Sequence, residues 1–244
     1  MEKKEGKMIE PPPDPVPLLA VVIFGFNEAE TVRETVEEAR AFLEVEKLAW
    51  EILLVDDGST DGTGRIMDEI AAADSRIRAV HHETNRGIGA ALKTGFAGAE
   101  AELVAPIPAD GQIPASAIGD LLKSLGHAEL VISTYRHRGD GAIRSSLSLL
   151  FRGMTRAIAG VDPQTHGFYV ARRSLVSELR PESDSFFYNI ELPILALRAG
   201  RSVVSVAIDP PRPRRGGQSK VLNAKRLAHV VKELVLLRRR MSQE

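Results

Sequence analysis

Glu51-Ile52-Leu53-Leu54-Val55-Asp56-Asp57-Gly58-Ser59-Thr60-Asp61-Gly62-Thr63 is the stretch whose reading decides the fold of this chain. Its apolar start reads as a short buried strand. That strand opens directly onto two carboxylates and a glycine-rich turn. Adjacent carboxylates at a buried strand end repel each other, and a ribose, a base N–H or a cation would relieve the repulsion. A plainer alternative is local: Gly58 makes the turn, and Asp57 or Ser59 caps the next helix. Both can hold. The polar loop runs on through Asp61-Gly62, beyond what capping requires.

The same design recurs on either side. Leu18 to Phe26 is a nearly continuous apolar run that ends in Asn27-Glu28, and Leu103 to Ile107 leads to Ala109-Asp110-Gly111-Gln112. Shorter strands are expected over 77–80 and 129–133. Helical spacing covers 30–45, with Val32, Val36, Ala39 and Phe42-Leu43 on one side, and then 63–73, 89–99 and 114–125. This alternation predicts an α/β fold, a mostly parallel sheet with helices on both faces. Ligands of such sheets bind at the carboxyl ends of the strands. Asn27-Glu28, Asp56-Asp57 and Asp110 all fall there, a pattern that suggests a nucleotide and a divalent metal. The second half is less regular. Helices are expected over 145–160, 187–199 and 219–240, strands over 168–171 and 203–208, and a loop over 210–217.

Composition narrows the function classes. The 244 residues carry a formal net charge of -1, so nothing draws the whole chain toward nucleic acid, and no nucleic-acid partner is expected. With 0 cysteines, disulfides and thiolate metal sites are excluded, and a cytoplasmic location is expected. No apolar run reaches the roughly 18 residues of a membrane span. The division expected is a loose arm over 1–17, one domain over 18–220, and a basic amphipathic helix over 221–244. From Arg198 to Arg240 the only acidic residues are Asp209 and Glu233. Such a basic end faces lipid or polyphosphate, or is a solvated helix. Leu227, Val230, Val231 and Leu234 share an apolar side, with Lys225, Arg226 and Lys232 placed to snorkel. One reading places this helix at the cytoplasmic membrane face as a peripheral element. The alternative is that this side covers the protein core, a membrane protein or a second copy of the chain.

Asp110 and Gln112 offer a carboxylate and an amide oxygen two residues apart, able to share Mg²⁺ or Mn²⁺ whose coordination diphosphate and water would complete. An ordinary Asp-Gly turn is the bland reading. Asn85-Arg86-Gly87-Ile88-Gly89 is a short phosphate-loop-like segment, but it lacks both the Gly-Lys-Ser/Thr of nucleoside triphosphate loops and the dinucleotide glycine fingerprint. Arg214, Arg215, Gly216-Gly217 and Lys220 form a basic loop that could close over a diphosphate leaving group, or merely an exposed cationic loop. Glu191, near the start of a helix, either orients an acceptor or sugar hydroxyl or is a surface residue. His81, His82 and His166 lack zinc spacing and read as exposed or core histidines.

In order and spacing these segments resemble the nucleotide-sugar glycosyltransferases of family 2, with the GT-A fold, and within them the polyprenyl-phosphate, dolichol-phosphate mannose synthase-like branch. Phe26-Asn27-Glu28, the Asp56 to Thr63 stretch, Asn85-x-Gly87-x-Gly89, Ala109-Asp110-Gly111-Gln112, Gly167-Phe168, Glu191 and the Arg214, Gly217, Ser219, Lys220 signature carry the likeness. Pro108 stands where the family commonly has aspartate. The resemblance implies that Phe26, Glu28, Asp56, Asp57, Asn85 and Gly87 meet the nucleotide, and that Asp110 and Gln112 hold Mg²⁺ or Mn²⁺. It further implies that Arg214, Arg215, Ser219 and Lys220 handle phosphate, with Asp110, Arg214, Lys220 and Glu191 as the catalytic set. The implied reaction is inverting transfer from a nucleoside-diphosphate sugar to a polyprenyl phosphate. Transfer to a hydroxyl, or a weakly active nucleotide-sugar-binding scaffold, are the alternatives.

Overall fold

The computed structural model describes residues 18–136, 153, 155–161, 167–213 and 224–241. In chain order these form β1 (Leu19–Gly25), α1 (Val32–Val45), β2 (Trp50–Asp56), α2 (Thr63–Ala73), β3 (Ile77–His81), α3 (Ile88–Gly98), β4 (Leu103–Pro108), α4 (Ser116–Leu122) and β5 (Leu130–Tyr135). There follow β6 (Tyr169–Arg172), α5 (Arg173–Leu179), α6 (Tyr188–Arg198), β7 (Val203–Ile208) and α7 (Ala224–Met241). The helix expected over 145–160 is described only at its end, and α5 was not anticipated.

One seven-stranded sheet runs β3-β2-β1-β4-β6-β5-β7. The pairs of β1 with β2 and β4, of β2 with β3, and of β5 with β7 are parallel, whereas β6 runs antiparallel to both β4 and β5. The expected parallel sheet therefore holds, with one reversed strand whose direction its short apolar run could not reveal.

Burial on both faces explains the uninterrupted apolar strands. Leu19, Val21 and Ile23 of β1 pack with Val32, Val36, Met67 and Ile118, so α1, α2 and α4 cover one face. Ala20, Val22 and Phe24 pack with Leu92, Phe96, Leu175 and Leu192, so α3, α5 and α6 cover the other. A third cluster joins Phe187 and Ile194 to Leu234 and Leu237 of α7. The side of α7 expected to meet a bilayer thus lies in part against protein: Leu234 is fully buried and Val230 packs on the same cluster. The side chains of Lys225, Arg226 and Leu227 lie outside the described residues. No helix among the described residues is long and apolar enough to cross a membrane.

Two prolines shape the middle of the sheet. The N–H groups of Leu103 and Ala109 point from β4 to Leu18 and Phe24 on the β1 side. By strand alternation Pro106 and Pro108 would have donated the other way. Pairing with β6 ends at Val104, so the missing donors cost no ladder bond there. The carboxyl half of β4 is consequently free of β6, and the sheet splits where Asp110 follows.

Candidate active site

Strand register sets out the site. Gly25 lies beside Asp56, Asp56 beside His81, and Phe24 beside Pro108. Neighbouring strands are about 4.8 Å apart, so the tips of β1, β2, β3 and β4 form one ledge. Asp57 N–H donates to Gly25 O (2.9 Å), His82 N–H to Asp56 O (2.9 Å) and Ala109 N–H to Phe24 O (2.8 Å), carrying the ladder one residue past each strand.

The loop after β2 is laced to the end of β1. Ser59 Oγ accepts from Asn27 N–H and Thr63 Oγ1 from Glu28 N–H, both at 2.9 Å, while Thr60 N–H donates to Asn27 Oδ1 (2.9 Å). Asn27 takes a left-handed φ of 56° to allow this. Neither Asp57 nor Ser59 caps α2, contrary to the local reading. Gly62 occupies the cap, and Asp61 reaches Thr63 N–H (3.0 Å) and its hydroxyl (2.6 Å). Partial burial works against the charge of Asp61, but bonds from Thr63 and the Ala29 amide outweigh it, and the pKa is lowered. Phe26 stands exposed at the ledge and Glu28 is half-buried.

Asp56 is buried, accepting from Ser59 N–H (3.0 Å) with one oxygen and facing His81 Nδ1 (3.3 Å) with the other. His81 Nε2 lies 2.9 Å from Asp68. Burial disfavours the imidazolium, yet the Asp68 hydrogen bond, then that of Asp56, prevails and the pKa of His81 is raised. This link was missed in the sequence, although His81 ends a strand in register with Asp56.

Asp57, expected to meet the nucleotide, is bonded here to protein groups. Its buried carboxylate accepts from His82 Nδ1 (2.7 Å), Arg86 N–H (2.9 Å) and Gly87 N–H (2.8 Å). A carboxylate with these charge-assisted bonds is committed to the protein. It fixes the Asn85 to Gly87 turn, leaving Asn85 exposed and Gly87 half-buried beside the ledge. His82, a core histidine as read, is held from behind by Thr94 Oγ1 (2.9 Å).

Asp110 is half-buried after β4, and its one carboxylate contact among the described residues is Gln112 N–H (3.1 Å). Gln112 exchanges bonds with Arg212: Nε2 donates to Arg212 O (3.2 Å), and Arg212 N–H donates to Gln112 O (2.9 Å). Gln112 Oε1 faces no protein donor among the described residues. The Arg212 guanidinium is spent on Glu38 (2.7 and 3.0 Å), which anchors the start of the basic loop beside Asp110. Two hard oxygen donors suit Mg²⁺ or Mn²⁺ only if other oxygens fill the shell. No group of three or more acidic, His or Cys residues forms a metal cage among the described residues. The donor set therefore fits a cation brought in with phosphate. Arg214, Arg215, Ser219 and Lys220 lie outside the described residues, as does His166.

Glu191 corrects a second expectation. It is fully buried on α6, neither a surface residue nor open to an acceptor. One oxygen accepts from Glu182 N–H (3.1 Å) and Ser183 N–H (2.8 Å), and the other is bound by Arg240 of α7. Both oxygens are engaged by protein donors. The loop at 182–185 was not singled out in the sequence, and its two serines and two acids resemble any surface turn.

Acidic tips on parallel strands, with one strand reversed beyond the split, define a nucleotide-binding α/β fold of the GT-A type. The pattern of the glycosyl transferase family 2 matches residues 20–178, and the chain belongs to that family. It is 32% identical over 190 residues to an undecaprenyl-phosphate 4-deoxy-4-formamido-L-arabinose transferase of Salmonella paratyphi A, covering 76% of this chain and 58% of that protein. The chain thus spans little more than half the length of the curated relatives it matches. Glucosyl-3-phosphoglycerate synthase from Mycobacterium tuberculosis, solved with Mn²⁺, uridine diphosphate and glucosyl-3-phosphoglycerate, superposes with a TM-score of 0.66 at 24% identity, covering 91% of this chain and 78% of that one. Residues 1–349 of S. aureus TarS superpose with a TM-score of 0.55 at 19% identity, over 80% of this chain and 59% of that one. These two likenesses establish the fold.

Proposed function

We propose that the chain transfers a sugar from a nucleoside-diphosphate sugar, with Mg²⁺ or Mn²⁺, to an acceptor that carries a phosphate. The observation that carries this reading is Asp110: a carboxylate at the split of the sheet, beside the Asp56 ledge, in no ion pair among the described residues. Asp56 and Glu28 would hold the nucleoside, and Asp110 with Gln112 Oε1 would hold the cation. When bound, that cation neutralises charge on the diphosphate as its bond to the sugar breaks. The remaining work is electrostatic and positional, with Arg214, Arg215, Ser219 and Lys220 assigned to phosphate by the family pattern.

A polyprenyl phosphate is the finer reading, supported by the undecaprenyl phosphate in the relatives' names. Its oxygen forms the new bond to the anomeric carbon while the bond to diphosphate breaks on the opposite side. The centre inverts and no proton moves. The engaged Glu191 agrees with a reaction that needs no base. A hydroxyl acceptor bearing its phosphate elsewhere is the second reading, favoured by the solved relatives bound to phosphoglyceric acid.

The test is calorimetry with UDP and Mn²⁺, then a product assay with UDP-sugars against a short polyprenyl phosphate and against 3-phosphoglycerate. Asp110→Asn should weaken Mn²⁺-dependent UDP binding at least about 10-fold, the scale set by lost metal-site contacts, without moving the melting temperature. Binding without turnover on either acceptor would favour a scaffold. Unchanged binding in Asp110→Asn would remove the metal assignment.

A further inference from the structure

A polar relay connects α7 to the turn beside the nucleotide ledge. Glu233 of α7 accepts from the hydroxyls of Ser183 (2.6 Å) and Ser185 (2.5 Å), which flank Asp184. Arg240, two turns further along α7, bridges the carboxylates of Glu182 and buried Glu191. Glu191 in turn receives the amides of Glu182 and Ser183. The 182–185 segment is therefore held from the α7 side by both side chains and backbone.

Its opposite side is fitted to α3. Asp184 O accepts from Gly89 N–H (2.9 Å) and Ala90 N–H (3.3 Å), donors of the first helical turn that have no partner within the helix. Lys93 Nζ binds Asp184 Oδ1 (2.6 Å) and Glu182 O (2.7 Å). A side chain at Gly87 or Gly89 would overlap the carbonyls of Asp184 or Ser183, so both glycines are required by this approach. The amides of Arg86 and Gly87 are fixed by Asp57 from the other direction. The 85–90 turn is thus gripped between the β2 tip and the 182–185 segment, with an open cleft of about 720 Å³ between Arg86 and Arg239.

The geometry points to α7 as a clamp on the donor side of the site: Glu233 and Arg240 are positioning residues that set the 85–90 turn through the 182–185 segment. This rests on the nucleotide reading only for its effect on binding. The clamp itself is a property of the chain. Glu191 and Ser183 are buried, so an oxygen of Glu191 that loses its donor has little water to replace it, while Glu233 and Arg240 are half-buried along the cleft. Glu191, expected at the reaction centre, belongs to this device instead.

The test uses the full chain, without ligand and with UDP and Mn²⁺. In Glu233→Ala, amide hydrogen exchange at Gly89 and Ala90 should accelerate at least tenfold while β1 and β2 amides keep their rates, and the Kd for UDP should rise about tenfold. Glu233→Gln, which can still bond both hydroxyls, should restore both to within threefold. Arg240→Lys provides a second entry into the same relay should Glu233→Ala fail to fold. Wild-type protection at Gly89 and Ala90 in Glu233→Ala, or in Arg240→Lys should Glu233→Ala not fold, overturns the clamp. So does lost protection that leaves the UDP affinity of a UDP-binding wild type within twofold. If the wild type binds no UDP, the nucleotide reading falls and the exchange rates alone decide the clamp.

Discussion

His81 shows how a single side chain ties the ledge to solvent conditions. Its ring spans Asp56 and Asp68, and its pKa is raised. The protonated ring is favoured in the folded state, so its contribution is complete below the unfolded value of about 6.5 and is lost as pH rises through the higher folded value. The ring is 37% exposed, which holds the effect to under about 1 kcal/mol after screening. Melting curves from pH 6 to 9 should fall less steeply for His81→Gln than for the wild type across that window. Parallel curves would remove the link. At this scale the sequence was legible where chemistry repeats by position: Asp56 and Asp110 were placed at strand ends because each closes an apolar run, and the structure has them there. The protein partners of Asp57 and Glu191 were not legible, because they come from distant segments, here Arg86-Gly87 and Arg240, which spacing along the chain cannot show.

Among the elements, the turn after β2 carries the tightest constraint. Gly58 has a φ of 77°, and a side chain there would run into the Thr84–Asn85 backbone, 2.7 Å from the Asn85 nitrogen. Left-handed strain and overlap together should make Gly58→Ala cost about 2–4 kcal/mol. Because the strained turn and the 84–87 segment are pushed apart, UDP affinity should fall as well. Chemical denaturation and calorimetry on the same preparation check both, and a loss below about 0.5 kcal/mol would show that the turn yields freely. Element types were readable because β1, β2 and β4 are buried on both faces and α1 and α2 have clear periodicity. The direction of β6 was not, since a four-residue strand carries no signal of which way it runs. Pro106 and Pro108 did hold a sign of the sheet's split: prolines in an apolar strand require an unpaired side.

For the whole molecule, α7 is the part whose reading changes most. The sequence offered an amphipathic helix with either a membrane or a protein beneath it. Leu234 and Leu237 are buried against Phe187 and Ile194, while Val235 and Leu236 stay partly exposed. Leu237→Ala should therefore cost about 2–4 kcal/mol, as for other fully buried leucines, read as a drop in denaturation midpoint. A change within about 0.5 kcal/mol would mean that α7 is peripheral to the fold. The sheet brings acidic tips from separate strands to one edge, the basic loop begins beside Asp110 at Arg212, and α7 holds the 182–185 segment that packs against the 85–90 turn.

The most direct measurement is a crystal structure of the full chain with UDP and Mn²⁺. The account predicts the cation on Asp110 and the diphosphate, with the nucleoside on the ledge against Asp56. A nucleotide bound away from the β1, β2 and β4 tips, or a cation held without Asp110, would contradict it.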